Sequence, residues 1–333
     1  MQSYKKNYIY IPSSCFFSYL CKQNVVIMNV ICVIVTYNRL QLLKECIAAV
    51  RQQSYPITRI IIIDNHSTDG TTEYLSDYAG NPQFQIVTME KNVGGAGGFS
   101  EGVKQAALAH ADWIWLMDDD TIPQPDALEN MIPYTQVEKV GFICSEVVWI
   151  DGSSHMMNQA KLLSDQSMKS QILSPVGKSS ENVELAEMAS FVSLLINGDI
   201  PWKLGLPYKE FFIWCDDAEY TKRITSNGYY GLYVKNSIAL HKTGENYVSS
   251  LHTVPASASW KIYYGVRNDS FLRRKKKGWV RFFFSQLNCF RTHAHRIKKR
   301  HLPKDEELKL LKANNRGLID GFLFNPQIEY LQE

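Results

Sequence analysis

Three consecutive carboxylates, Asp118, Asp119 and Asp120, close an apolar run that begins at Trp113. A run of this kind suits a buried strand, whose side chains alternate faces. Asp118 and Asp120 would then share one side and Asp119 the other. Two carboxylates aimed together from a strand end repel each other unless a cation lies between them. Mg²⁺ or Mn²⁺ takes hard oxygen ligands and bridges carboxylates to phosphate oxygens. The competing reading makes Asp120 or Thr121 the cap of a helix suggested by Pro123–Glu129, with the other acids in solvent. A second acidic group, Asp216, Asp217 and Glu219, follows the apolar Phe211–Cys215. At the start of a helix such acids are stabilised by the macrodipole. Functionally, one of the pair is suited to act as a general base toward an attacking hydroxyl. Ser237–His241 reads as a strand ending in a histidine, which is either a satisfied structural residue or a metal ligand.

The elements that must position these groups alternate along the chain. Val30–Val35 is a β-branched strand, and apolar residues at 40, 42, 43, 46, 47 and 50 predict a helix over Leu40–Gln52. Strands follow at Arg59–Ile63 and Phe84–Thr88, separated by a short helix at Thr71–Tyr78. Asn92–Phe99 reads as a loop and Ser100–His110 as a helix leading to the strand that ends at Asp118. This order predicts an α/β fold, a mainly parallel sheet covered on both faces. Ligands of such sheets bind at the carboxyl ends of the strands. Three polar strand ends are expected to converge there: Thr36-Tyr37-Asn38, Asp64-Asn65 and Asp118–Asp120. Thr36 and Tyr37 suit a base or ribose. Asp64 suits the N3–H of a uracil or thymine, or alternatively an Asx-turn closing the loop to Gly70. The glycines from Gly94 and Gly95 onward lack the G-x-G-x-x-G register. They still permit close approach of backbone N–H groups to a ligand.

Bulk properties narrow the classes. The 333 residues are 45% hydrophobic with a net charge of +3, enough for a large core and no global signal for nucleic acid. Seven cysteines (15, 21, 32, 46, 144, 215, 289) share no metal-ligand or paired spacing, which suits free thiols in a reducing cytoplasm. No stretch approaches the roughly 20 apolar residues of a membrane-spanning helix. Residues 1–28 begin with a basic and apolar stretch, but Pro12, Ser13 and Ser14 interrupt it and no cleavage pattern follows Cys21. The expectation is a functional chain starting at Met28, with residues 1–28 a poorly ordered extension. From Trp260 to His301 thirteen Lys and Arg stand against Asp269 alone, interleaved with aromatics. That composition suits an anionic membrane surface, or a solvated helical face packed by its aromatics.

Taken in order, Thr36-Tyr37-Asn38-Arg39, Asp64-Asn-x-Ser-x-Asp-Gly, Asn92-Val-Gly-Gly-Ala-Gly-Gly-Phe, Asp118–Asp120, Trp214-x-Asp-Asp-x-Glu-Tyr and His241 resemble the inverting family 2 glycosyltransferases of the GT-A fold. The galactofuranosyltransferase branch, with rhamnosyltransferases as near relatives, is the most similar. The resemblance covers residues 29 to 245 and implies a Rossmann-like nucleotide-binding catalytic domain there, with 246–333 a helical, basic and aromatic region. It implies Mn²⁺ or Mg²⁺ held by Asp118, Asp120 and His241. A nucleotide-sugar donor would lie against Thr36, Tyr37, Asn38, Arg39, Asp64, Asn92, Gly94, Gly95, Asp118 and Asp119. Asp217 is the expected base, with Asp216 and Glu219 orienting, and Trp149 and Trp214 are acceptor residues. UDP-galactofuranose is the first expected donor and dTDP-rhamnose the second. The acceptor would be a lipid-linked surface glycan met at the inner face of the plasma membrane, with no nucleic-acid partner. Cys215, between the tryptophan and the acidic pair, departs from the motif. A sugar nucleotidyltransferase and a silent nucleotide-sugar-binding module are the alternatives.

Overall fold

Alternate residues of the first strand, β1 (Val30–Thr36), enter different cores. Val30, Cys32 and Ile34 pack with Leu43, Cys46, Ile47 and Val50 of α1 (Leu40–Arg51). Ile31, Val33 and Val35 pack with Phe99, Val103 and Ala106 of α3 (Gly94–Leu108) on the other face. The strand is therefore apolar throughout because both of its faces are covered. The structure, a computed structural model, describes residues 28–248 and 250–332. The extension expected over residues 1–28 thus lies outside the described residues, apart from Met28.

β2 (Arg59–Asp64), β3 (Phe84–Thr88), β4 (Trp113–Asp118) and β1 form the parallel half of the sheet, in the order β3-β2-β1-β4. Register sets the rim: Thr36 lies beside Asp64 and Val35 beside Asp118. The three polar strand ends do converge. A short helix, α2 (Thr71–Ser76), precedes β3. β5 (Thr121–Pro123), β6 (Val140–Val148), β7 (Lys161–Leu162), β8 (Val183–Met188), β9 (Leu194–Asn197) and β10 (Tyr230–His241) complete the sheet. β9 lies antiparallel between β4 and β6, while β6 and β10 are parallel. The sheet is thus mixed, its second half largely antiparallel. β10 is longer than the predicted five-residue strand, and its last residue pairs with the start of β5, His241 opposite Thr121. That antiparallel contact carries the histidine to the acidic triple. α4 (Ala127–Met131) follows β5, and α5 (Asp216–Ser226) runs on from the second acidic pair.

Asn92–Phe99 differs from expectation: the glycines from Gly94 onward form the first turns of α3. Glycine is a poor helix former, and packing overrides that here. A Cβ on Gly98 would stand 2.5 Å from Val35 Cγ1, so its absence lets the helix sit close on β1. Gly94 adopts φ +74 with its Cα against the Phe212 carbonyl, where a Cβ would come within 2.0 Å of the oxygen.

Three helices follow: α6 (Ser259–Lys277), α7 (Trp279–Lys298) and α8 (Lys304–Asp320). Ile262, Val266, Ile297, Leu310 and Leu318 form their shared core. Contacts cross the boundary expected at 245/246. The Leu206 N–H donates to Glu329 O (2.8 Å), and Glu329 pairs with Lys104 of α3 and with Lys209, each at 2.7 Å. No helix of the described residues is long and apolar enough to cross a membrane.

Candidate active site

β4 ends at Asp118, and the chain turns through Asp119 and Asp120 into β5. One ligand atom each from Asp118, Asp120 and His241 lie within 4.8 Å of one another. His241 Nε2 is 2.9 Å from Asp120 Oδ1. Two carboxylates and an imidazole converging in this way fit Mn²⁺ or Mg²⁺. Electrostatics agree. Burial and the charges of Asp120 and Asp119 hold the Asp118 carboxyl up at about 7, although His241 and Arg39 draw it down. Asp120 is also desolvated, but the hydrogen bond and charge of His241, helped by Arg39, bring it down to about 2.

Asp119 turns the other way, as the alternation predicts. It accepts from Thr36 Oγ1 (2.8 Å) and from the Tyr37 N–H (3.4 Å). Burial pushes it up to about 6, against the pull of Arg39. Arg39 spans the cluster, donating to Asp120 Oδ2 (2.6 Å) and Asp119 Oδ1 (3.3 Å) while half-exposed. Burial of its guanidinium is outweighed by Asp120, Asp119 and Asp118, so its pKa rises. Tyr37, in the same segment after β1, is 43% exposed. An open aromatic ring and a guanidinium at the carboxyl rim suit a base and a diphosphate.

The second acidic pair opens α5 after an unusual turn. Phe212, Trp214 and Cys215 all have left-handed backbones, at φ +65, +67 and +70. Such residues store about 1–3 kcal/mol each and persist only when their surroundings hold them. Here Asn268 of α6, fully buried, donates from Nδ2 to the carbonyls of Phe211, Ile213 and Trp214 (2.9, 3.1 and 3.0 Å). The Ala96 N–H of α3 donates to Phe212 O (3.1 Å). Burial drives the Asp216 carboxyl well above the usual range, and the charges of Asp217 and Asp118 add to it. Burial raises Asp217 as well, while its Oδ1 accepts the Ala218 N–H (2.6 Å). Asp216 is buried; Asp217 is partly open.

With this geometry in view, residues 31–189 match the model of the family described as Glycosyl transferase family 2. The chain carries a family 2 glycosyltransferase domain. The chain is 25% identical over 271 residues to the galactofuranosyltransferase GlfT1 of Mycolicibacterium smegmatis, covering 76% of this chain and 88% of that one. It is 34% identical over 96 residues to the poly-beta-1,6-N-acetyl-D-glucosamine synthase of Staphylococcus epidermidis, but spans only 23% of that protein's length. Among solved structures, GalNAc-T7 with UDP, GalNAc and Mn²⁺ superposes with a TM-score of 0.59 at 16% identity, over 88% of this chain and 55% of that one. The mannosyltransferase PcManGT of Pyrobaculum calidifontis, with GDP-Man and Mn²⁺, gives 0.51 at 15% identity, over 90% and 77%. These likenesses establish the GT-A fold.

Several expected contacts of the glycosyltransferase take a different form. Glu219 is not free to orient an acceptor. Both its oxygens are engaged by Arg223 (3.1 and 2.6 Å), whose Nη1 also donates to Leu204 O and Leu206 O. The pair staples α5 to the 204–206 segment. Asp64 is fully buried, with Ser67 N donating to Oδ1 (2.9 Å) and Thr72 Oγ1 to Oδ2 (2.7 Å). This is the loop-closing alternative, with one bond from the 65–72 segment on each carboxylate oxygen. Asn38 spends its Oδ1 on the Thr68 N–H (2.7 Å), tying the loop after β1 to the loop after β2. Asn92 Oδ1 accepts the Gly94 N–H (2.8 Å) at the start of α3, whereas a Cβ on Gly95 would meet open space. Of the two candidate acceptor tryptophans, Trp149 donates its indole N–H to Thr243 O (2.9 Å). Trp214 lies against Gly265, where a Cβ would sit 2.3 Å from its ring.

Sequence reasoning missed three residues. Asn268 and Lys261 stand in the basic region, where composition suggested only a surface. Lys261 is half-buried and reaches the electrostatic field of the site: burial and Arg39 lower its pKa while Asp120 raises it. Asn158 accepts from the His241 ring (2.8 Å) and lies in a stretch without a motif. For Lys261 the only signal was a cation between Trp260 and Ile262 at a helix start.

Proposed function

We propose that this glycosyltransferase moves a sugar, galactofuranose first and rhamnose second, from a nucleoside diphosphate donor to a hydroxyl of a lipid-linked cell-surface glycan, with inversion. The observation that carries the reading is the convergence of Asp118, Asp120 and His241 on the strand-end rim that also carries Arg39 and the exposed Tyr37. The donor sugar is drawn from the similarity to the mycobacterial galactofuranosyltransferase over most of both chains. Asp118, Asp120 and His241 would hold Mn²⁺ or Mg²⁺, which when bound neutralises charge on the departing nucleoside diphosphate. Tyr37 stacks on the base, Thr36 and Asp119 fix the rim beside it, and Arg39 exchanges its carboxylates for phosphate oxygens. Asp217, the more open of the acidic pair, takes the acceptor proton at a carboxylate oxygen. The acceptor oxygen then bonds to the anomeric carbon from the face opposite the diphosphate, and the carbon–phosphate-oxygen bond breaks. Burial raises both carboxyls of the pair, and it is the greater openness of Asp217 that suits it to this step.

We also assign α7 to an anionic membrane surface at the inner face of the plasma membrane. Trp279, Val280, Phe283, Phe284 and Leu287 are all exposed on one side of this helix, and exposed Lys276, Lys277 and Arg281 border them. A lipid-linked acceptor requires an enzyme that works at that surface.

The deciding experiment follows nucleoside diphosphate release from a panel of nucleotide sugars, with Mn²⁺ and then with EDTA. Release from UDP-galactofuranose is expected only with metal, abolished in Asp118→Ala, and lowered about 10²–10⁴-fold in Asp217→Asn. Release that persists in EDTA, or in Asp118→Ala, would sink the metal-dependent mechanism.

A further inference from the structure

His241 meets its surroundings through both ring nitrogens. Nε2 faces Asp120 Oδ1 at 2.9 Å and Nδ1 faces Asn158 Oδ1 at 2.8 Å. The Asn158 amide is itself oriented, because its Nδ2 donates to Ser190 Oγ (2.9 Å). Its oxygen can only accept, so the His241 nitrogen opposite it carries the hydrogen. Nε2 faces the ionised Asp120 and carries a hydrogen as well in this arrangement. When a cation takes the place of that hydrogen, the Nδ1–H held by Asn158 leaves the Nε2 lone pair directed toward the carboxylates, as a metal-ligating histidine requires. We propose that Asn158 is a positioning residue that fixes the tautomer and ring orientation of His241, and thereby sets the affinity of the site for a divalent cation. The inference rests on the metal reading above and extends it to a residue outside every motif.

The same segment braces the imidazole from a second direction. The His155 ring lies 4.7 Å from that of His241, at 45°. His155 is fully buried, and its Nε2 lies 2.8 Å from Thr243 Oγ1. That hydroxyl donates to Glu245 O (3.0 Å), so His155 is the donor in the pair. Trp149 Nε1 donates to Thr243 O (2.9 Å), and the Met156 N–H donates to Asn246 Oδ1 (2.8 Å). Residues 149–158 are thus latched to the chain immediately after His241. The latch delivers Asn158 to the ligand, and removing the Asn158 oxygen alone leaves the latch in place.

The test titrates Mn²⁺ alone into the full chain, following the free ion by electron paramagnetic resonance. Asn158→Leu keeps the side-chain size without the acceptor, and is expected to weaken Mn²⁺ binding about 10–100-fold. Asn158→Asp restores an acceptor oxygen and is expected to recover most of the affinity. The ¹⁵N spectrum of His241 in the metal-free protein, at a pH where the imidazole is neutral, should show Nδ1–H in the parent and in Asn158→Asp, and a mixture of tautomers in Asn158→Leu. Should Asn158→Leu not fold, Asn158→Ala removes the same oxygen without adding an apolar branch. Equal Mn²⁺ affinity in the parent and the Leu or Ala variant overturns the proposal, as does an equal loss in Asn158→Asp. A parent that binds no Mn²⁺ overturns the metal reading itself, and this proposal with it.

Discussion

Asp216 and Asp217 are adjacent carboxylates near a third, Asp118, and the cost of that crowding has a direction that can be measured. Burial first, then the charges of Asp217 and Asp118, hold Asp216 well above its usual range. The folded chain therefore keeps a proton that the unfolded chain releases near pH 4. The stability this proton confers is complete below the unfolded pKa. It is lost as pH rises through the higher, folded one. Asp216→Asn keeps the shape and removes the charge, so its stability should not fall over that range. The variant's Tm is expected to exceed the parent's by more at pH 8 than at pH 5. An advantage that is the same at both pH values would show that Asp216 does not carry the strain. Donor-dependent release by this variant separates the roles within the pair: Asp217→Asn removes the base, whereas Asp216→Asn leaves it.

At the level of elements, the acidic pair depends on a turn that its own residues do not favour. Phe212, Trp214 and Cys215 sit in left-handed backbone conformations, and Asn268 of α6 holds three carbonyls of that turn from outside. Asn268→Ala should let the turn relax and move the carboxylates at the start of α5, while the metal cluster on β4 and β10 stays in place. The expected result is a kcat lowered about tenfold or more with little change in donor KM, since misplacement of about 1 Å costs up to about 10²-fold. A matching rise in KM would mean that the donor site had moved as well. This dependence was not legible in the sequence, because Asn268 follows the turn by more than fifty residues and its spacing repeats nothing. The parallel half of the sheet was legible, since β1, β2 and β4 are continuous β-branched or apolar runs buried on both faces. Asp118 and Asp120 were legible as a cation-holding pair from the end of their strand, whereas His241 joined them only through the resemblance. In physical terms the histidine arrives by the antiparallel β5–β10 pairing, which no local pattern announces. The glycines of α3 misled for the opposite reason: their low helix propensity was visible, while the Val35 side chain and Phe212 carbonyl that require them were not. Glu219 has the motif's spacing, yet it lies one helical turn from Arg223 and pairs with it.

On the scale of the whole molecule, the C-terminal helices act in two directions. Inward, α6 clamps the turn before the acidic pair and brings Lys261 into the field of Arg39 and Asp120. Outward, α7 presents an unpaired apolar side. Residues 279, 280, 283, 284 and 287 recur at the spacing of one helical face, and Trp279, Val280 and Phe284 are 61, 74 and 67% exposed. Among the described residues, Lys276 and Arg281 beside them have no carboxylate partner. Large apolar side chains left open next to unpaired cations suit an interface whose core is hydrocarbon and whose rim is anionic. The full chain should therefore sediment with vesicles containing phosphatidylglycerol at low salt, and much less with neutral vesicles. Replacing Phe283 and Phe284 by Ser should reduce vesicle binding in both low and high salt, because it removes buried apolar area. Replacing Lys276, Lys277 and Arg281 by Gln should reduce it chiefly at low salt, by about 1 kcal/mol for each cation lost. Neither set touches the acidic cluster, so metal-dependent release from a soluble donor should persist in both. Binding that is indifferent to vesicle charge and to both sets of substitutions would remove α7 from the membrane. If the chain instead forms a dimer that Phe283→Ser and Phe284→Ser dissociate, the apolar side covers a second copy of itself.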